Sequence, residues 1–533
     1  MGTRDSRHRH AIGSRLREAA GQLGLTLREL GERIGVSSPT IYAYSTGALP
    51  ISAERRQRLA ELTGRSEDFF IAEEAGAKRG FDKESLKRTL QALLGSPNHH
   101  LAVEVALNNS QALLSEGDQY GAAELEHIAG RAYLAQGLYL EALEHLNLAR
   151  AGFLSTEHIH ESALCSQSMG YALINLGRLE RARAAFEYAE RCLKPEKKWM
   201  GSVSLASLAE REGRFDEAEE LLSKLNSKTD LGPDARAYAM FARASLHLAL
   251  GQWTACYDLN IECLRLASDL KLHDQVLERL IQLGIASTWK GEYEEASLWL
   301  MRAVDGAQQR GDLARETYAQ IAMARLLCMA GYPKEAKERC VRWLAKATEK
   351  EYRRAEALGL SLMGEITYAQ RDFGAARDYG VQSAAFCETH QYPVQALFSS
   401  ALVICASMHS ERQPLNEAEW FRVAEKFKSD RDGLASSLIS FVDAVIHSSR
   451  SEPHLENQAV SAALMGAIQA GALPFSARIR ALQSKDKRPA SDSPQESIDW
   501  WIARRSTMRI FDASSGRIIG SPIIEKAEGF VHA

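Results

Sequence analysis

Eight times between residues 130 and 418 the chain repeats one pattern: a small residue, a turn signal seven positions later, and an alanine or cysteine five positions after that. The anchors are Ala142, Ala182, Ala218, Cys256, Ala296, Ala336, Ala376 and Ala418, spaced by 40, 36, 38, 40, 40, 40 and 42 residues. The turn residues are Gly137, Gly177, Gly213, Gly251, Gly291 and Gly331, then Arg371 and Gln413. The small residues are Gly130, Gly170, Ala206, Ala244, Gly284, Ala324, Gly364 and Ala406. Such a period rules out a single layered core. Each unit must be a supersecondary element that buries its apolar face only against its neighbours. A small residue facing an alanine lets two antiparallel helices approach closely, and glycine supplies the left-handed turn between them.

Two positions after each turn residue stand Tyr139, Leu179, Phe215, Trp253, Tyr293, Pro333, Phe373 and Leu415, mostly large enough to wedge the second helix on the first. These features resemble the tetratricopeptide repeat, at a length above its usual 34 residues, over 120–425. The resemblance implies a helical solenoid with a concave face built by the first helix of each pair. Residues 73–119 read as a helical connector or atypical first repeat, and 426–483 as a degenerate pair closing the array.

Ahead of the array, Ile12 to about Ile71 reads as four or five short helices, each too short to be stable alone. Thr26 and Glu29 form a capping box opening a helix whose Leu30 and Ile34 share one face, and Gly35 ends it. Ser37 or Ser38 caps the next helix, with Pro39 in its first turn and Ile41 and Tyr44 pointing to the core. Ser52 caps a further helix, Ala53 to Thr63, which Gly64 stops and whose Leu59 and Leu62 give another apolar stripe.

The string Thr26 to Pro50, TLRELGERIGVSSPTIYAYSTGALP, resembles the Cro/phage-repressor-like (XRE) helix-turn-helix family, in particular at Leu30, Gly35, Val36, Ser37, Ile41, Gly47 and Pro50. The match spans about sixty residues, 12–72. The resemblance implies a five-helix domain whose second motif helix enters the major groove of double-stranded DNA. It places Ser38, Pro39, Thr40 and Ala43 toward the bases, with Ser37, Tyr42 and Thr46 close by and Arg28 and Arg33 toward phosphates. Leu27 stands where the family commonly has Gln, and Ser45 where it commonly has an acidic residue. Two hydroxyls, a proline and an alanine form few bidentate base contacts. The rival reading is therefore an interaction scaffold whose helix-turn-helix has lost sequence-specific DNA binding.

Charge supports a local basic surface only. The net charge of the chain is -4, whereas residues 1–72 carry eleven Arg against eight acidic residues. Arg15, Arg17, Arg55, Arg56 and Arg58 are additional phosphate candidates, and Arg4, Arg7 and Arg9 fall in an N-terminal arm, 1–11. With 45% hydrophobic and 25% charged residues the composition is that of an ordered globular chain. No apolar run is long enough to span a bilayer and the start lacks a secretory signal, which predicts a cytoplasmic protein without membrane contact. Eight cysteines without a C-x-x-C pair read as reduced, buried thiols.

Neither a G-x-x-x-x-G-K-[ST] loop nor an H-E-x-x-H occurs, so no enzyme, cofactor or metal is expected. His158, His160 and Glu161, and the pair Cys256 and Cys263, read as solvated and core residues respectively. On the concave face, counting three before or one, four and five after each small residue, the candidates for a ligand are His127, Arg131, Gln167, Tyr171, Asn175, Arg325, Glu365 and Tyr368. Tyr238 and Tyr318 sit six before it. After a linker at 484–497, the tail 498–533 carries Trp500 and Trp501, then a small hairpin from Met508–Phe511 and Arg517–Ile519. Taken together, an all-α chain of this order resembles XRE-type regulators with tetratricopeptide sensor domains. That predicts a homodimeric DNA-binding regulator whose array senses a peptide or protein.

Overall fold

A computed structural model describes residues 5–46, 51–70, 83–96, 98–226, 232–407, 417–427, 434–472, 476, 479, 511–512 and 517–518. Gly47, Pro50, Gln413, Leu415, the linker and the two tryptophans of the tail lie outside them, as do the side chains of Pro39 and Thr46. The chain forms two compact units, Met1–Ser168 with Gln309–Gly311, and Met169–Gln308 with Asp312–Ala533.

The first unit opens with α1 (Asp5–Gln22), α2 (Leu27–Arg33), α3 (Ser38–Thr46), α4 (Ala53–Thr63) and a 3-10 turn, Glu67–Phe70. The capping box is present: Glu29 accepts from the Thr26 backbone at 2.7 Å while Thr26 caps Glu29. Gly35 (φ 72) makes the turn into α3, and Ser37 is the cap, accepting from the Thr40 backbone at 3.3 Å. Gly31 shows how tightly α2 and α3 cross, since an added Cβ would stand 3.0 Å from Ile41. Then come α5 (Lys83–Leu94), α6 (His99–Ser115), α7 (Gln119–Ala135), α8 (Tyr139–Ser155) and the start of α9 (Ile159–Asn175). One core joins the two parts: Leu16, Leu30, Ile41, Ala43 and Leu59 share a buried cluster with Leu86, Leu90 and Leu93 of α5.

The second unit continues with α10 (Leu179–Cys192), α11 (Trp199–Arg211), α12 (Phe215–Asn226), α13 (Pro233–Ala249), α14 (Trp253–Asp269), α15 (His273–Lys290) and α16 (Tyr293–Arg310). After these come α17 (Leu313–Met329), α18 (Pro333–Glu349), α19 (Arg353–Ala369), α20 (Phe373–Thr389), α21 (Pro393–Ser407), α22 (Glu417–Ala424), α23 (Leu434–Ser449) and α24 (Pro453–Gln469). Two-residue strands β1 (Phe511–Asp512) and β2 (Arg517–Ile518) pair antiparallel with Phe511 opposite Ile518, the hairpin read from the sequence.

Helix and turn lengths explain the period. α17 through α20 are each 17 residues long and are joined by three-residue turns, so a helix pair recurs every 40 residues. Each of the short turns of two or three residues puts one residue in the left-handed region two positions before the next helix: Gly137, Gly177, Gly213, Gly251, Gly291 and Gly331 inside pairs. Between pairs this residue is Glu157, Lys271, Gly311, Glu351 or Gln391. Arg371, where the glycine pattern breaks, adopts φ 64 all the same, at the strain a side chain meets there. The small residues admit large partners: a Cβ on Gly170 would lie 2.2 Å from the Phe186 ring, and one on Gly284 2.5 Å from Leu300. Seven of the eight anchors are buried, from Ala142 to Ala376. Ala418 is the exception; it is exposed, and Trp420, Val423 and Ala424 supply the buried face of α22.

The last helix pair does not extend the stack freely. It returns to the middle of the second unit. The Trp253 backbone N–H donates to the Ala470 carbonyl at 2.9 Å, and that of Leu434 donates to Leu250 at 3.2 Å. Trp253, Cys256, Ala286, Leu434, Ala470 and Ala472 form one buried cluster at this seam.

Candidate functional site

On the α3 face expected to meet DNA, Tyr42 is 60% exposed and Ser38 is half-buried. Thr40 and Ala43 are buried at 4% and 1%, contrary to the expectation that both stand open toward bases. For Ala43 the reason is the position of α5. α3 packs on α1, α2 and also α5, whose Leu86, Leu90 and Leu93 share the core with Ile41, Ala43 and Tyr44. A second contact ties the cap of α3 to the same segment: the Asn98 amide donates to Ser37 Oγ at 2.9 Å, and Ser37 also bonds the Thr40 hydroxyl at 2.7 Å.

The arginines divide into two groups. Arg55 and Arg58 donate to the Ile34 carbonyl at the end of α2, Arg56 to Ile51, and Arg15 to Phe69 at 3.2 Å, so these four hold the domain together. Arg28 is outward and 74% exposed, paired with Glu32 at 3.0 Å within its own helix. Arg33 is exposed at the C-terminal end of α2. An exposed i,i+4 pair contributes ~0.3–0.5 kcal/mol, little enough for Arg28 to exchange Glu32 for a phosphate.

The second unit contains a pocket of about 110 Å³ lined from α11, α13, the start of α14, α15, α17, α19 and the start of α21. One wall is aromatic. Trp253 and Trp289 stack with centroids 5.3 Å apart and planes 3° from parallel, and Phe398 lies 5.9 Å from Trp289. Opposite charges occupy the rest: Arg211, Arg325, Arg354 and Glu210. Arg354 lies over the Tyr318 ring at 4.2 Å and donates to Glu278 at 3.1 Å. Burial opposes its charge, but Tyr318, Glu278 and Glu210 outweigh that and raise the guanidinium above its usual value. Burial likewise works to raise Glu278, yet Arg354, Arg315 and Arg279 overcome it and hold the carboxyl well below the usual range. In Glu210 burial prevails over Arg211 and Arg354 and raises the carboxyl. Arg325 is fixed by Glu365 at 2.6 Å.

Of the sequence candidates for a ligand, the pocket brings together Tyr318 and Arg325, with Glu365 behind the latter. The others do not line it. His127 lies on α7 in the first unit, its ring 6.4 Å from Phe153, and Arg131 is exposed on that helix. Gln167 is buried on α9, where Asn175 donates to the Tyr171 carbonyl at 2.9 Å and Tyr171 Oη accepts from Ser204 at 2.8 Å. Tyr238 packs 5.6 Å from Trp199, and Tyr368 5.3 Å from Phe373. Sequence reading missed Arg211, Trp253, Trp289, Arg354, Tyr392 and Phe398. A signal for two of them existed: Arg211 and Trp289 occupy the fifth position after Ala206 and Gly284.

A family model for the helix-turn-helix domain matches residues 11–68. An uncharacterized HTH-type transcriptional regulator of Methanothermobacter thermautotrophicus is 45% identical over 65 residues, which are 12% of this chain and 94% of the relative. The chain belongs to the HTH-type transcriptional regulators. Beyond that domain, this HTH-type regulator is similar to a Rap protein complexed with Competence and Sporulation Factor, with a TM-score of 0.50 at 13% identity over 67% of this chain and 100% of that one. It is also similar to NprR in complex with its cognate peptide NprX, with a TM-score of 0.47 at 15% identity over 64% of this chain and 98% of that one. The Rap likeness assigns the regulator's array to a helical-repeat fold. No helix among the described residues is long and apolar enough to cross a membrane.

Proposed function

We propose that the protein is a cytoplasmic, homodimeric transcriptional regulator that binds double-stranded DNA through α3 and senses a peptide or protein through its repeat array. The observation that carries this reading is the union, in one chain, of a helix-turn-helix domain of the regulator family with an array that encloses a charged, aromatic pocket. A Rap protein of the same fold holds a bound factor, which supports treating the array as the sensing part. Tyr42 and Ser38 offer the open face of α3, Pro39, Thr40 and Thr46 complete the proposed base-facing set, and Ala43 is reached only when α5 moves. Arg28 and Arg33 take phosphates. Two-fold pairing of chains would match paired half-sites on DNA.

Selection of full-length protein against random and self-upstream DNA at several salt concentrations tests the reading. Sequence enrichment with a steep salt slope, made shallower by Arg28→Ala/Arg33→Ala, is the expected result. Unselective or absent binding would favour the second reading, a non-enzymatic interaction scaffold. The burial of Thr40, and of Ala43 beside α5, is the observation on its side.

A further inference from the structure

We infer that the pocket of the second unit receives the carboxylate-bearing, apolar end of a ligand: the C-terminal residue of a short peptide, or a free acid of the same chemistry. The inference deepens the sensing role proposed for the array and rests on it.

The first argument is hydrogen-bond demand. Three polar atoms on the pocket's lining residues are buried without a partner: Arg325 Nε, Tyr392 Oη and Trp253 Nε1. Arg325 Nε and Trp253 Nε1 only donate, and the Tyr392 hydroxyl can donate or accept. Apart from that tyrosine oxygen, no buried acceptor among the described lining residues is left unpaired in the same way. Buried polar groups are kept only where something satisfies them, so these unpaired donors favour acceptor oxygens beside them over further donors.

Charge gives the same sign. The wall carries Arg211, Arg325 and Arg354 against the single carboxylate of Glu210. Glu278 and Glu365, which fix Arg354 and Arg325, are not part of the lining, so they orient the two guanidiniums without closing the pocket. An arginine already held by a carboxylate behind it loses little freedom on binding a second one in front.

Apolar surface and size set the remainder of the ligand. The stacked pair Trp253 and Trp289 with Phe398 faces a side chain or ring, and Leu358 and Val394 extend that surface. The cavity of about 110 Å³ holds several water centres at roughly 10–15 Å³ each. That is the space of one terminal residue; the rest of a peptide must run outside it.

The test uses full-length protein and three probes: pentapeptide mixtures ending in Leu or Phe with a free C-terminal carboxylate, the same mixtures as C-terminal amides, and N-acetyl-leucine. Retention in equilibrium dialysis and quenching of tryptophan fluorescence are measured together. The acid mixture is expected to be retained roughly tenfold or more better than the amide, as for a hydrogen-bonded charged group. Tyr392→Phe and Arg325→Gln should each lower that retention. Tyr392→Phe removes only a hydroxyl, so its effect is read on a folded protein whatever Arg325→Gln does to stability. Retention of N-acetyl-leucine with the same dependence on Tyr392 would support the pocket and assign its ligand to free acids. Equal retention of acid and amide mixtures would overturn the carboxylate inference while leaving peptide sensing in place. Retention of none of the probes would overturn the inference and short-peptide sensing together.

Discussion

Gly251→Ala and Gly331→Ala form a matched pair that isolates the seam at which the C-terminal helices meet the α13–α14 turn. Both glycines sit in the same turn of their repeats with positive φ, 68 and 91. An alanine at either position pays the left-handed penalty, ~1–2 kcal/mol. At Gly331 the new Cβ meets nothing within 4 Å, so that penalty is the whole effect. At Gly251 the Cβ would stand 2.5 Å from Leu434 Cβ and 3.2 Å from its backbone nitrogen. Backbone cannot yield as a flexible side chain can, and overpacking of this kind costs ~1–3 kcal/mol more. Relief by opening the seam would give up the Leu434 to Leu250 and Trp253 to Ala470 hydrogen bonds, ~0.5–1.5 kcal/mol each. Hydrogen exchange of peptides from α23 and α24, measured beside thermal melting, reads the difference. Gly251→Ala should speed exchange at 434–472 well beyond Gly331→Ala. Equal melting and unchanged protection of α23 and α24 in the two variants would refute the seam.

Asn98→Ala removes the bond to Ser37 that ties α3 to the segment behind it. With ~0.5–1.5 kcal/mol released from the closed arrangement, DNA affinity by fluorescence anisotropy should rise about twofold to tenfold; unchanged or weaker binding would argue against competition between α5 and DNA. Glu278→Gln leaves Arg354 and Arg315 without their shared carboxylate and should destabilise the second unit by ~3–5 kcal/mol in chemical denaturation. Because its folded pKa is depressed, Glu278 contributes stability that is full above its unfolded value and lost as acid titrates through the folded value, so the wild-type loss below about pH 4.5 should shrink in the variant. His127 has the opposite chemistry and the same direction. Burial, with Arg131 nearby, pushes its pKa from 6.5 down to about 3. The unfolded chain then binds the extra proton between those values, and stability of the first unit should fall as pH drops below 6.5. A pH series of melts in which His127→Phe shows the same slope as wild type would contradict this.

The repeat architecture was legible because left-handed turns and close helix crossings each demand a residue type, and both recur at fixed spacing. Gly170 against Phe186 and Gly284 against Leu300 are that demand seen in three dimensions. Where the demand is met by a strained residue, as at Arg371, the glycine signal fades though the turn persists. The last repeat was misread at Ala418 because its helix is short and buries Trp420, so an alanine at the anchor position no longer marks the packed face. The seam left no local signal: Leu250 and Leu434 are brought together by stacking of many repeats, and no spacing in the sequence encodes that contact. The pocket follows the inner register of the array, including the positions of Tyr318 and Arg325, but choosing among its residues required knowing which helices converge. Arg354 and Tyr392 enter from helix starts that the register did not include. At α3, local pattern identified the motif correctly, while the burial of Ala43 arises from α5, forty residues further on, and has no trace in the motif itself.

The most direct test of a sensor coupled to a DNA-binding domain is the DNA dissociation constant of the full-length protein with and without saturating peptide, for wild type and for Tyr392→Phe. Coupling is reciprocal, so a peptide sensed by the array must change DNA affinity by the same factor by which DNA changes peptide affinity. The account predicts a change of several-fold or more in wild type that is reached only at higher peptide concentration in Tyr392→Phe. Identical DNA affinity with the array empty and saturated would contradict it.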